Sequence, residues 1–189
     1  MLNIKHYRIM KYKNFAIAGL AVGAGVATYL LKNRSNKNIA FEVVPNFDLK
    51  KYLGLWYEIA RMDFYWEKDK TNTTARYLMN EDGTVQVINR GYDENKKEWK
   101  KSKGIAKQTK VGFGKFKVSF FGPIYSAYNV IDIDEHYQHA LVAGKNTDYL
   151  WILSRQKSLP DGIKDRFLKK AETLGYETEK LVWPTHDKI

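Results

Sequence analysis

The groups that most often carry chemistry are few in this chain and poorly arranged for it. Histidine occurs at positions 6, 136, 139 and 186, and only His136-x-x-His139 has a spacing that suggests a metal pair. On a strand, residues three apart point to opposite faces, so these two are not expected to chelate one ion, and no metal site is expected. The chain has no cysteine, which excludes disulfides, thiolate nucleophiles and cysteine-based zinc sites. No serine sits in a nucleophile elbow, and no glycine-rich phosphate loop is present. Aromatic surface is what the chain has in quantity, with 13 Tyr, 9 Phe and 5 Trp. Such side chains pack strands and line apolar pockets. The expectation is binding rather than catalysis, without a cofactor.

Length and charge narrow the setting. At 189 residues the chain is long enough for one well-buried domain and an appendage. Its net charge of +11 is uneven: residues 1–45 hold seven Lys/Arg and one Glu, so more than half of the excess sits on the N-terminal segment. The remaining charge, in runs such as NKKEWKKSK, reads as solvated surface rather than a phosphate footprint, and no nucleic-acid partner is expected.

Residues 15–31, FAIAGLAVGAGVATYLL, contain no charge, while residues 1–14 form a basic flank with Lys5, Arg8, Lys11 and Lys13. A helix of that length spans about 26 Å, just short of a hydrocarbon core of roughly 30 Å. Two readings stand. One is a transmembrane anchor, favoured because the apolar run continues past the small residues Ala24 and Ala27 to Leu31. The other is a secretory signal cleaved near those small residues. Gly19 and Gly23 would give the helix a GxxxG face for a homodimer, although Gly and Ala are simply common in export segments. The slight excess of positive charge before the run leans toward a cytoplasmic N-terminus and an exported domain. Residues 32–45 read as a linker.

From residue 46 to 189 the chain is a succession of short strand-like runs: 55–61, 73–79, 84–92, 98–107, 114–121, 126–133, 137–144 and 148–155. Eight strands at even spacing with short turns predict an all-β domain, an up-and-down antiparallel barrel or a sandwich. One helix follows, with Asp161 as the expected N-cap, Ile163, Phe167, Leu168, Ala171 and Leu174 on one face, and Gly175 as its stop. That face would lie against the outside of the barrel, and the run 176–183 would add a last strand. Inside, the alternation nominates Tyr77, Asn89, Tyr128, Trp151 and Leu153, aromatics with a polar handle. They could line a small-molecule cavity or fill the core. Glu58 and Arg61 are expected at the barrel rim or in a strand-edge ion pair.

A set of ordered motifs sharpens this reading: NFDLKKYLGLWYEIAR at 46–61, VINRGY at 87–92, KVSFFGP at 117–123, YNVI at 128–131, HALV at 139–142 and DYLWILSR at 148–155. In this order and spacing the chain resembles the lipocalins, the bacterial outer-membrane lipoprotein type and apolipoprotein D among them, over residues 46 to about 183. The resemblance implies an eight-stranded barrel whose floor is made by Gly54, Trp56 and Arg155, with the guanidinium packed across the indole. Those three residues would be structural. A Thr-Asp-Tyr-like turn of the family appears here as DEHY at 134–137. Tyr77, Asn89 and Trp151 match positions of ligand contact, which implies a bound fatty acid or lysophospholipid at the cell envelope, next to a membrane surface. The bacterial relatives are tied there by a lipidated cysteine; without one, this chain would use its N-terminal helix or, with that segment cleaved, be soluble in the periplasm or secreted. A lipocalin-type enzyme and a binder of haem or another small hydrophobic ligand are the alternatives. The first lacks the thiol that isomerase chemistry would need, and the second needs an inward histidine, for which His139 is the one candidate.

Overall fold

The computed structural model describes residues 40–64 and 68–188, so the apolar run 15–31, its basic flanks, and Gly19 and Gly23 lie outside the described residues. Among the described residues no helix is long and apolar enough to cross a membrane.

Eight strands, β1 (Gly54–Met62), β2 (Lys70–Met79), β3 (Val85–Asp93), β4 (Glu98–Gln108), β5 (Lys115–Phe121), β6 (Ile124–Ile133), β7 (His139–Ala143) and β8 (Leu150–Ser154), each pair antiparallel with the next. β8 returns to pair with β1, and β1 with β2, which closes the sheet into a barrel and leaves those strands no long free edge. The up-and-down course puts the turns after β2, β4 and β6 at one end, together with the short helix α1 (Leu49–Tyr52) that precedes β1. The turns after β1, β3, β5 and β7 lie at the other end.

Period-two patterning decides which side chains fill the barrel. In β5 the buried Phe116 and Val118 alternate with the exposed Lys115 and Lys117. Bulges then re-aim particular residues. In β1 the register shifts between Glu58 and Ala60, so Trp56 and Glu58 face inward, Ile59 and Ala60 face outward, and Arg61 returns to the interior opposite Trp151.

Helix α2 (Asp161–Thr173) packs its buried Phe167 and Ala171 against Ile59, Ala60, Leu141, Leu150 and Ile152 on the outer surface of the barrel. Ile163, Leu168 and Leu174 flank that contact half-buried, and Gly175 follows at φ +86°. Asp161 is the first helical residue rather than the cap; Pro160 occupies the cap position, where its fixed φ suits a helix start, and no side chain caps the helix there. The run 176–183 forms less strand than expected. A 3-10 turn (Thr178–Lys180) uses up its middle, and only β9 (Leu181–Val182) pairs, with β1.

β1 and β2 pair only from Gly54 to Tyr57. Beyond that they diverge, and the segment after β9 fills the seam: Asn72 donates its backbone N–H to Thr185 at 2.7 Å, and a ring nitrogen of His186 meets the Glu58 carbonyl at 2.9 Å. The end of the expected linker also lies against the barrel. Phe41 stacks on Tyr176, and Val44 exchanges backbone hydrogen bonds with Gly114 and Val130.

Candidate functional site

The closed end is built around one tryptophan and one arginine. Trp56 is wholly buried and donates its indole N–H to the Tyr52 carbonyl at 2.8 Å. The Arg155 guanidinium lies 3.8 Å over the Trp56 ring. Its Nη1 donates to the Leu55 carbonyl at 2.6 Å, its Nη2 to the carbonyls of Lys51, Leu53 and Tyr52 at 2.9, 2.8 and 3.2 Å, and its Nε to that of Tyr137 at 3.3 Å. These are in part the carbonyls that α1 leaves without intrahelical partners, so one planar fork caps a helix and stacks on an indole at once. Gly54 sits beside it at φ +97°, where a Cβ would come within 3.3 Å of Nη1. Only glycine combines that backbone conformation with that approach.

The DEHY turn belongs to this end as well. Tyr137, at φ +55°, accepts the Asp48 backbone N–H on its hydroxyl at 2.8 Å, and Asp134 accepts the backbone N–H groups of Gln138 and His139. Asp48 in turn caps α1. His136 is exposed in this turn, next to Glu135, rather than on a strand. His139 shares the outward face with Ser154, so the inward histidine that a haem would need is not supplied by it. Among the described residues no cluster of three or more His, Asp or Glu could hold a metal ion.

Above the floor three tyrosine hydroxyls converge. Tyr128 meets Tyr52 at 2.6 Å and Tyr77 at 2.8 Å. Burial pushes the Tyr52 and Tyr128 phenols well above their usual pKa, so both stay neutral hydrogen-bonding groups and neither is an available phenolate. Val85, Phe116 and Val118 pack around the tyrosines and leave a gap on the scale of a single water molecule. The lower half of the interior is therefore filled.

The upper half differs. Trp151 stacks on Tyr128 and Tyr149, with ring centroids 6.5 and 6.3 Å apart, and Phe64 stands edge-on to it at 5.7 Å. Beside these rings lies a buried polar group. Arg61 donates to Glu58 at 2.7 Å, Thr73 donates its hydroxyl to the same carboxylate oxygen at 3.0 Å, and Arg61 also reaches the Lys70 carbonyl at 3.2 Å. Arg61 is 1% and Glu58 7% exposed. The pair is thus inside the wall, not at an exposed rim: the β1 bulge brings Arg61 round to the face that Glu58 occupies. Buried charges of this kind need each other, because removing either leaves the other unpaired in a poorly solvated place.

The five side chains nominated from the sequence are all placed inward. Tyr77, Tyr128, Trp151 and Leu153 belong to the inner apolar cluster. Asn89 pairs across the sheet with Ala75, itself opposite Trp56, and so shares their inner face. Its amide oxygen is buried and has no hydrogen-bond partner among the described residues. Tyr52, Phe47, Phe64 and the Glu58–Arg61 pair were not nominated as interior residues. Tyr52 and Phe47 precede the first strand, so alternation gave no signal for them, although the aromatic pairing of Phe47 with Tyr52, Phe116 and Tyr137 makes them central.

Known proteins resemble this chain in sequence and in fold. The Lipocalin-like domain family matches residues 47–186. The outer membrane lipoprotein Blc of Citrobacter freundii is 48% identical over 142 residues, covering 75% of this chain and 80% of that protein. Apolipoprotein D of Mus musculus is 35% identical over 126 residues, covering 62% and 66%. Among solved structures, insecticyanin from the tobacco hornworm Manduca sexta superposes with a TM-score of 0.65 at 21% identity, over 79% of this chain and 86% of that one, which speaks to the fold alone. The chain belongs to the lipocalin family.

Proposed function

We propose that the barrel binds an elongated lipophilic molecule, a fatty acid or a lysophospholipid, and holds it at the cell envelope. The observation that carries this reading is the contrast within the interior: a filled lower half, an upper half walled by aromatic rings from a loop and a strand, and on the same inner surface an Asn89 amide oxygen buried without a partner among the described residues. An acyl chain entering from the open end would lie against Trp151, Tyr128 and Phe64, gaining about 0.8 kcal/mol for each methylene removed from water. The rings must turn to admit it, since the gap among the tyrosines below is small. Asn89 is the residue for a polar contact to the headgroup, and such a contact would remove the cost of its buried oxygen. Tyr77 and Leu153 set the depth that the chain can reach. The envelope setting is supported by relatives described as outer membrane lipoproteins. This chain has no cysteine, so the proposed tether is the apolar run 15–31, with the barrel exported. A chain remaining full length in carbonate-washed membranes is the expected outcome; a shortened chain in the soluble fraction would replace the anchor with a cleaved signal.

The test of binding is native mass spectrometry of the full chain purified from cells, followed by lipid titration with tryptophan fluorescence. Co-purified acyl lipid is expected. Trp151→Ala is expected to weaken lipid affinity tenfold or more while lowering the melting temperature only a few degrees. Equal affinity in the variant and the parent would remove Trp151 from the ligand wall.

A further inference from the structure

The wall of the barrel opposite α2 has an uneven charge that the lipid-binding interior does not explain. On β2 to β5 the outward positions carry Arg76, Arg90, Lys101, Lys103, Lys107, Lys115 and Lys117, all exposed. Their cross-strand register puts them on one surface: Arg76 opposite Ile88 and then Lys103, Arg90 opposite Lys101, and Lys107 opposite Lys117. No acidic residue occupies an outward position within these strands; the nearest carboxylates, Asp82 beside Lys107 and Asp93 and Glu98, lie in a turn and at strand ends. None of the seven cations forms a salt bridge among the described residues, whereas Arg166 and Lys170 of α2 both engage Asp132. Residues 46–189 have a net charge of +5, so the remainder of this domain is net acidic.

The same surface exposes apolar groups. Leu78 and Ile105 are 41% and 45% exposed in the middle of it, and Phe121 and Ile124 are 57% and 49% exposed at the tip of the β5–β6 hairpin. Tyr125 lies beneath the ammonium groups of Lys107 and Lys117. Aliphatic side chains between lysines suit neither a phosphate-tracking groove nor plain solvent. They suit a layer with anionic headgroups above hydrocarbon, where long basic side chains reach the headgroups and short apolar ones press inward.

We infer that the outer face of β2–β5 docks on an anionic lipid bilayer, so that the barrel rests on its side wall with the β5–β6 tip at the surface. This contact is separate from the interior and holds whether or not a lipid fills it. It lays the open end beside the bilayer rather than away from it. The chain contains no cysteine, so a single introduced one reports on one place. The full chain would carry an environment-sensitive dye at Gln86→Cys, on the docking face, or at Lys169→Cys, on exposed α2, and be reconstituted with vesicles of phosphatidylcholine alone or with 30 mol% phosphatidylglycerol. The Gln86 dye is expected to shift to shorter wavelength only on the anionic vesicles, and the Lys169 dye on neither. The triple variant K101Q/K103Q/K117Q, shown by circular dichroism to be folded, should lower the docked-to-undocked ratio by about 100-fold, and K101E/K103E/K117E by a larger factor. An aqueous Gln86 dye on anionic vesicles, equal responses of the two dyes, or an unchanged ratio in both triple variants would overturn the inference. An equal shift with soluble polyglutamate and no lipid would overturn it too, in favour of an acidic protein partner.

Discussion

The two ends of the barrel are made from the same kinds of residue and do different things with them. At the closed end an arginine gathers five backbone carbonyls and lies on a tryptophan that no solvent reaches. At the open end a more deeply buried arginine shares a carboxylate with a threonine, and the neighbouring tryptophan leans on loop and strand aromatics. Carbonyl oxygens are fixed by the backbone, so the floor is satisfied completely and has one arrangement. Side-chain partners and loop rings have alternatives. The lesson is that a cation–aromatic unit becomes structural or adaptable according to what satisfies its remaining donors.

Substitutions can break this contrast in graded steps. The largest effect is expected from Trp56→Ala, which empties the centre of the floor and should lower stability by about 3–5 kcal/mol in urea unfolding. Arg155→Met keeps much of the bulk but strands the carbonyls of Lys51, Leu53 and Leu55, and about 2 kcal/mol is expected. Melting of both variants at the parent temperature would show that the floor is not where stability resides. Tyr128→Phe sits between the two ends. It removes the hydroxyl shared by Tyr52 and Tyr77, and thermal melting should register about 1 kcal/mol.

The smallest effect concerns the open-end seam. Hydrogen bonds from Lys188 and then Thr71 hold the Glu94 carboxyl down to about 2. Its folded pKa lies below its unfolded value, so its contribution is present above roughly pH 4.5 and is lost as the pH falls toward 2. Because the pair is partly open to solvent, the melting temperatures of the parent and Lys188→Gln should differ by only about 1 °C at pH 6 and converge in acid. A difference that grew in acid would contradict the assignment.

Much of the barrel was legible from alternation and turn residues. All eight strands fall where the period-two runs predict, because each has one face in the core and one outside. The floor was legible through motif resemblance, and Gly54 makes physical sense only once Arg155 is in place. The rest was hidden for definite reasons. Arg61 turns inward because of a bulge, and a one-residue shift inverts every facing that alternation assigns. Tyr52 ends the short entry helix and Phe47 lies just before its cap, so neither has a strand period to betray it. The two-residue β9 was overestimated because YETEKLVW looks strand-like locally, while its middle is taken up by a 3-10 turn.

The Arg155 fork also has a temporal side. Four of its five partner carbonyls lie 100 to 104 residues earlier in the chain, and the His186–Glu58 contact spans 128. Neither can form while the chain is still emerging past β4. At roughly 5–20 residues per second, β1 waits several seconds or more for the strand that completes it. Until then Trp56 has no lid, and β1 lacks one of its two neighbours in the barrel. Contacts this distant in sequence make folding slow and late. Closure of the ring must therefore wait for the synthesis of β8 and of the arginine that follows it.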